Sequence, residues 1–388
     1  MKLKKVFIGI GSIVLLCTAS FFIAYKVTEQ LDKQVFSEQV SSNEETSQNN
    51  GKATPEPTDT TSPEPTEPPA PKLSEVTLSS VGDCTIGQDA KFPYSGSFAQ
   101  VFKNNEQDYS YFFKNVAPIF KEDDITTANL ETTFTTSTKK ATKEFTFKAS
   151  PDFVKVLTLG NIDAVNISNN HTRDYLEQGL KDTKDTLNAE GIPYFGEGEK
   201  WITEVEGNKF GFLGYKGFTY DNAFLRNLKA DITELKNQNC TVIINFHWGV
   251  EGSYTPNSTQ KYIAHYAIDN GADLIIGHHP HVIQSIEEYK GKMIAYSLGN
   301  FVFGGNRNPS DKDTFILQTN FKFEDNKLKS YGIKVIPCSL SSVSNKNDYS
   351  PKVLEGSKKT SLLNKLNNLS INLDFKLSDD FYYLDVNN

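Results

Sequence analysis

The chain has 388 residues, 23% of them charged, with a formal net charge of −8 and a sequence pI of about 5.4. That acidic balance excludes nucleic acid or an anionic membrane surface as the main partner. Arginine occurs only at Arg173, Arg226 and Arg307, too few for an arginine clamp on a polyanion, and four cysteines give no disulfide framework.

Residues 1–5 carry Lys2, Lys4 and Lys5, and residues 6–25 follow without a charge. As a helix this run of about 20 residues would span roughly 30 Å, the thickness of a bilayer's hydrocarbon core. The leading lysines place residues 1–5 in the cytoplasm as a tail and everything after Lys26 outside. A cleaved signal peptide is the competing reading, because Thr18-Ala19-Ser20 offers small residues. Cys17 follows Leu16, where a lipoprotein signal would carry a small residue. Residues 26–73 form a linker that loses nearly all apolar side chains after Phe36. It ends in Thr54-Pro55-Glu56-Pro57 and Ser62-Pro63-Glu64-Pro65, the composition of a disordered, extended stalk.

From Ser74 to about residue 340 short β-rich runs alternate with helical patterns, which predicts an α/β domain. Val76–Val81 alternates apolar and polar and breaks at Gly82-Asp83. A second run, Asp124–Ala128, ends in Asn129-Leu130-Glu131, and a third, Ile162–Ser168, ends in Asn169-Asn170-His171. Leu176, Leu180, Thr183 and Leu187 then mark one face of a helix that stops near Gly191. Val242–Phe246 is a fourth run and ends in His247-Trp248-Gly249. The helix after it takes Ser258 as its expected N-cap and closes at Asn270-Gly271. Leu274–Ile276 delivers Gly277-His278-His279-Pro280-His281. Residues 341–388 read as a C-terminal extension with a helical patch at Leu362–Leu369 and no chemical motif.

Five strands thus end in a carboxylate, a carboxamide or an imidazole, and ligands of α/β sheets bind at the carboxyl ends of strands. Each residue alone has a dull explanation as a turn former or surface charge; their coincidence points to one metal-holding site, for which imidazole is a common ligand. His265, inside a helix, is expected on its surface. His278 should face away from His279 across an extended segment. Ser297 and Asn300 either line the site as substrate-binding residues or simply end a strand.

With Val81-Gly82-Asp83, Ala128-Asn129-Leu130-Glu131-Thr132, Asn169-Asn170-His171, His247-Trp248-Gly249, the His-Pro-His segment and Tyr296-Ser297-Leu298-Gly299-Asn300-Phe301 in this order, the chain resembles the CapA family of poly-γ-glutamate capsule biosynthesis proteins over roughly Glu75–Pro337. The resemblance implies a metallophosphoesterase-like α/β/β/α sandwich. By position it makes Asp83 and His281 ligands of one metal, Asn170, His247 and His279 ligands of a second, and Glu131 a bridge. His171 becomes a general acid for the leaving group. Thr85 stands where phosphoesterases place a histidine, which leaves the first position one nitrogen short. One or two divalent transition ions, Mn, Fe or Zn, suit such mixed nitrogen and oxygen ligands. Three functions follow from the resemblance: a metal-dependent hydrolase or transferase in capsule synthesis, a non-catalytic metal- or polymer-binding accessory subunit of a membrane polyglutamate synthase, or a general extracellular phosphoesterase. The implied partners are the membrane, synthase subunits and an anionic polymer or phosphoester substrate.

Overall fold

In the computed structural model, residues 70–385 are described. The expected cytoplasmic tail and membrane helix, and nearly all of the linker, lie outside them. Among the described residues no helix is long and apolar enough to cross a membrane.

The first half of the domain runs through β1 (Leu73–Thr85), β2 (Gln88–Asp89), α1 (Phe98–Asn104), α2 (Ala117–Lys121), β3 (Ile125–Leu130), β4 (Thr133–Phe134), β5 (Phe147–Ala149), α3 (Lys155–Leu159), β6 (Ala164–Asn166) and α4 (Leu176–Ala189). It continues through β7 (Tyr194–Phe195), β8 (Trp201–Val205), β9 (Asn208–Lys216), α5 (Asn222–Asn237), β10 (Thr241–His247), α6 (Ser258–Asp269) and β11 (Leu274–His278). The last part holds β12 (Ile286–Tyr289), β13 (Lys292–Ala295), β14 (Asn300–Phe303), β15 (Asp313–Glu324), β16 (Lys327–Ser339), β17 (Lys352–Val353), α7 (Gly356–Leu369) and β18 (Tyr382–Asp385).

These elements form a mixed α/β domain with two main sheets. The larger has the order β17-β16-β15-β1-β3-β6-β7, with β14 added beside β1 and β18 beside β16; the smaller has the order β12-β13-β11-β10-β9-β8. Leu78, Ile125, Phe212, Ile243, Ile276 and Leu317 come from both sheets and share one buried cluster, so the sheets face each other across it. The outer face of the larger sheet is covered by α1 to α4 through Phe98, Phe120, Val156 and Leu180. The outer face of the smaller is covered by α5 and α6 through Leu228, Ile232 and Ile263. Each sheet is therefore buried on both faces: β3, β10 and β11 are buried at every residue, and β10 and β11 are largely apolar runs rather than alternating ones.

Helix boundaries follow local chemistry. The α6 helix is capped by Asn257, one residue before the expected Ser258, because Asn257 and Gln260 exchange side-chain and backbone bonds in a capping box. On α4 the buried residues are Leu180, Thr183 and Leu187, as the spacing predicts, but Leu176 is exposed and left-handed at φ 58°, where the chain turns into the helix. Residues beyond 340 share the domain's core. Both β17 and β18 pair with β16, and Leu362 and Leu366 of α7 enter the inter-sheet cluster. Cys84, Cys240 and Cys338 are buried free thiols.

Candidate metal centre

Strands β1, β3 and β6 are mutually parallel, and so are β9, β10 and β11. Their carboxyl ends bring Asp83, Glu131, Asn170 and His171 from the larger sheet against His247, His278, His279 and His281 from the smaller. Two close approaches make this possible. A Cβ on Gly82 would lie 2.0 Å from Gly299 O, and one on Gly277 would lie 1.9 Å from Tyr296 O. After β11 the chain turns through left-handed His279 and His281, at φ 96° and 58°, which aims both rings inward.

Asp83 is fully buried. Its Oδ1 accepts from Asn129 Nδ2 at 2.8 Å and its Oδ2 from the His279 backbone N–H at 3.1 Å, while His281 Nδ1 lies 3.2 Å from Oδ2. Glu131 is also fully buried, and Thr85 Oγ1 donates to its Oε2 at 3.3 Å. Its other oxygen, Oε1, has no hydrogen-bond partner. Around Oε1 stand three imidazole Nε2 atoms, those of His247 at 3.5 Å and of His171 and His281 at 3.9 Å each. His247 Nε2 also lies 2.9 Å from Asn170 Oδ1 and 3.1 Å from His279 Nδ1.

Donor atoms fall into two groups that share Glu131: Asp83, Glu131 and His281, and Glu131, His247 and His279 with Asn170 beside them. An uncompensated buried carboxylate oxygen facing several imidazoles is costly as it stands and is what a cation would satisfy. The chemistry of His247 and His279 fits as well. Burial, joined by neighbouring imidazoles, holds His247 well below its ordinary value, and burial lowers His278 and His279 to about 4, so these rings are neutral at neutral pH with a lone pair each. Burial acts to raise Asp83, yet the His281 bond and the nearby imidazoles hold it far below the carboxylate range. Glu131 goes the other way, pushed well up by burial against the pull of His281. Burial would lower His281, but Glu131 and Asp83 raise it to about 10.

His171 stands apart from these groups. Its Nδ1 is 2.6 Å from buried Asp174 Oδ2, Lys143 Nζ bonds Asp174 Oδ1 at 2.8 Å, and Phe147 packs on the ring at 4.4 Å. The dyad leaves Nε2 facing Glu131 and a cavity of about 300 Å³ that His281, Glu251 and Asn300 also line. Asn300 Oδ1 holds His281 Nδ1 at 2.9 Å, whereas Ser297 is fully buried, donating to Val282 O and accepting from Gly299 N–H. Ser297 therefore shapes the turn and does not line the opening; its hydroxyl is spent on the backbone.

A scan of family models matches residues 77–305 to the bacterial capsule synthesis protein PGA_cap, 229 of 388 residues counted from those bounds. The chain belongs to this family. Among curated relatives, the PGA biosynthesis protein CapA of Bacillus subtilis is 38% identical over 49% of this chain and 56% of that protein. The capsule biosynthesis protein CapA of Bacillus anthracis is 30% identical over 59% of this chain and 60% of that protein. A probable polyglutamine synthesis accessory protein of Mycobacterium tuberculosis is 27% identical over 46% of this chain and 55% of that protein. The chain thus spans less than two thirds of the length of each of these PGA_cap-type relatives.

Several members of this PGA_cap site escaped the sequence reading. Asn129 Nδ2 lies 3.2 Å from His247 Nδ1 and donates to Asp83; its signal was available, since alternation puts it on the same strand face as Glu131. His278 belongs to the network too: its Nδ1 lies 3.6 Å from Asp83 Oδ1 and its Nε2 meets Asn245 Oδ1 at 3.0 Å. His265 is not a free surface residue either: it stacks on Tyr289 at 3.8 Å and lies 3.2 Å from Glu287 Oε1. Glu251 comes from the loop after β10, within 4.8 Å of donor atoms of His279 and His281, with no pattern to announce it.

Proposed function

We propose that the chain is a membrane-anchored, outward-facing capsule protein of metallophosphoesterase type, with a metal-dependent hydrolase or transferase site acting on extracellular poly-γ-glutamate. The observation that carries it is the partnerless Oε1 of Glu131 set among three imidazoles, with the His171–Asp174 dyad aimed at it. Asp83, Glu131 and His281 would hold one divalent ion, and Glu131, His247, His279 and Asn170 a second. Such ions polarise a phosphoryl or carbonyl oxygen and lower the pKa of bound water.

The protein's own residues do the rest. Asp174 takes the Nδ1 hydrogen of His171 and so fixes the tautomer in which Nε2 faces the cavity. In its imidazolium form the ring gives the Nε2 proton to the leaving group as the scissile bond breaks and is left neutral, with Nδ1–H still on Asp174. Asn300 orients His281, Phe147 limits water on one side of His171, and Thr85 orients Glu131.

Elemental analysis of the full-length protein after equilibration with manganese, iron or zinc, beside His279→Ala, tests the reading. Bound metal in the wild type and its loss in the variant are expected; metal-free wild type, or equal metal in both, would overturn it. Cleavage of γ-glutamyl amides rather than generic phosphodiesters separates a capsule role from that of a general phosphoesterase. One observation favours the accessory-subunit reading: Thr85 offers a hydroxyl where a nitrogen ligand is expected, and that hydroxyl is engaged with Glu131. Under it, metal is retained without turnover on either substrate class.

A further inference from the structure

Beside the imidazole centre lies a second and larger cavity, of about 940 Å³, against about 300 Å³ for the first. The two share part of a wall, since Ser310 and Asp311 line both. The larger one is built mainly by residues 310–365, beyond the 77–305 matched by the family model, so it belongs to the part of the chain that the site motifs do not cover.

Its wall has a cationic side. Lys352 and Lys358 line it, are exposed, and have no carboxylate partner among the described residues. Carboxylates also line it: Asp311 and Asp313 share one partner, Lys365 Nζ, at 2.8 Å from each, and Glu355 is the third. Lys312 bonds only neutral oxygens, Asn308 Oδ1 at 2.8 Å and Pro309 O at 3.0 Å. Taken together, four lysines face three carboxylates, an excess of one positive charge in a chain that is acidic as a whole. Helix α7 begins at this wall with Glu355 as its N-cap residue, so that carboxylate is offset by the positive end of the helix and by the lysines around it.

We infer that this cavity is a polycarboxylate subsite, holding the units of an anionic polymer that extend past the unit seated at the imidazole centre. The small cavity admits roughly one unit and the larger one several. The inference rests on the polyglutamate reading above and adds to it the path of the chain and the residues that grip it. Because the lysines are exposed, the grip is screened by salt and discriminates by length rather than by shape.

Binding of labelled γ-linked glutamate oligomers to the full-length protein in detergent tests this, using a dimer and an oligomer of about twelve units. Wild type should hold the long oligomer more tightly than the dimer, with the advantage shrinking as salt rises. Lys352→Glu with Lys358→Glu should weaken the long oligomer by roughly tenfold per lysine, leaving dimer affinity, metal content and melting temperature unchanged. Undiminished long-oligomer affinity in that double variant would overturn the subsite while leaving the polyglutamate reading intact. A wild type that binds neither oligomer would overturn both.

Discussion

At Glu131, burial and function pull in opposite directions: a carboxylate oxygen without a donor is tolerated only where a cation or proton can complete it. His171 is different, since its bonds to Asp174 and its packing on Phe147 are complete without any ion. His171→Ala should therefore leave metal content and melting temperature almost unchanged while turnover falls about 10²- to 10⁴-fold, as for other lost acid-base groups. Parallel metal analysis and rate measurement check this; loss of metal with activity would make His171 a ligand. A second residue-scale prediction lies far from the centre. Burial acts to raise Asp273, but Lys236 and Lys292, with the Val242 N–H, hold it below its ordinary 3.8. A depressed carboxyl contributes stability above its unfolded pKa and loses it as pH falls through the folded one. Asp273→Asn should thus cost roughly 1–3 kcal/mol at pH 7, toward the low end because Lys236 reaches water. Urea unfolding at falling pH should show the gap to wild type narrowing below about pH 3.8, and a constant gap would contradict the linkage.

At the scale of elements, the site depends on how closely β11 and the loop after it approach their neighbours. Gly277 leaves no room for a side chain, with Tyr296 O at 1.9 Å and Trp248 Nε1 at 2.7 Å from an added Cβ. Gly277→Ala should push β11 off its neighbours, costing about 1–3 kcal/mol and displacing His278, His279 and His281 together. Metal affinity and melting temperature should fall in the same variant; a fall in neither would mean that the segment yields without strain. The C-terminal elements matter through burial. Leu362, Leu366 and Leu377 are each at most 4% exposed, and each contributes about 1.5–3 kcal/mol. Removing residues 341–388 forfeits about 5–9 kcal/mol, comparable to a whole domain's margin of stability. The shortened protein should be insoluble or molten, and a soluble one with an unchanged melting temperature would refute this.

For the molecule as a whole, the charge-free run of residues 6–25 behind three lysines sets the expected topology. Protease added to intact cells should remove the globular domain and leave the anchor in the membrane; a protected domain, or full-length protein in the cytosol, would reverse the reading. Sequence alone determined a good deal of this protein. Its α/β class and the strand ends that carry Asp83, Glu131, Asn170, His247, His279 and His281 were readable, because strand periodicity and turn chemistry are local. The family followed from short motifs in a fixed order. Only the tertiary structure decided which polar groups share a partner. Asn129 and His278 enter the network because two sheets face each other, Asp174 because a turn folds back on His171, and Glu251 because the loop after β10 runs beside His279 and His281. The packing of residues 341–385 into the core was hidden for the same reason: the partners of Leu362 and Leu366 lie on strands far away in sequence, and no local pattern encodes a contact made across two sheets.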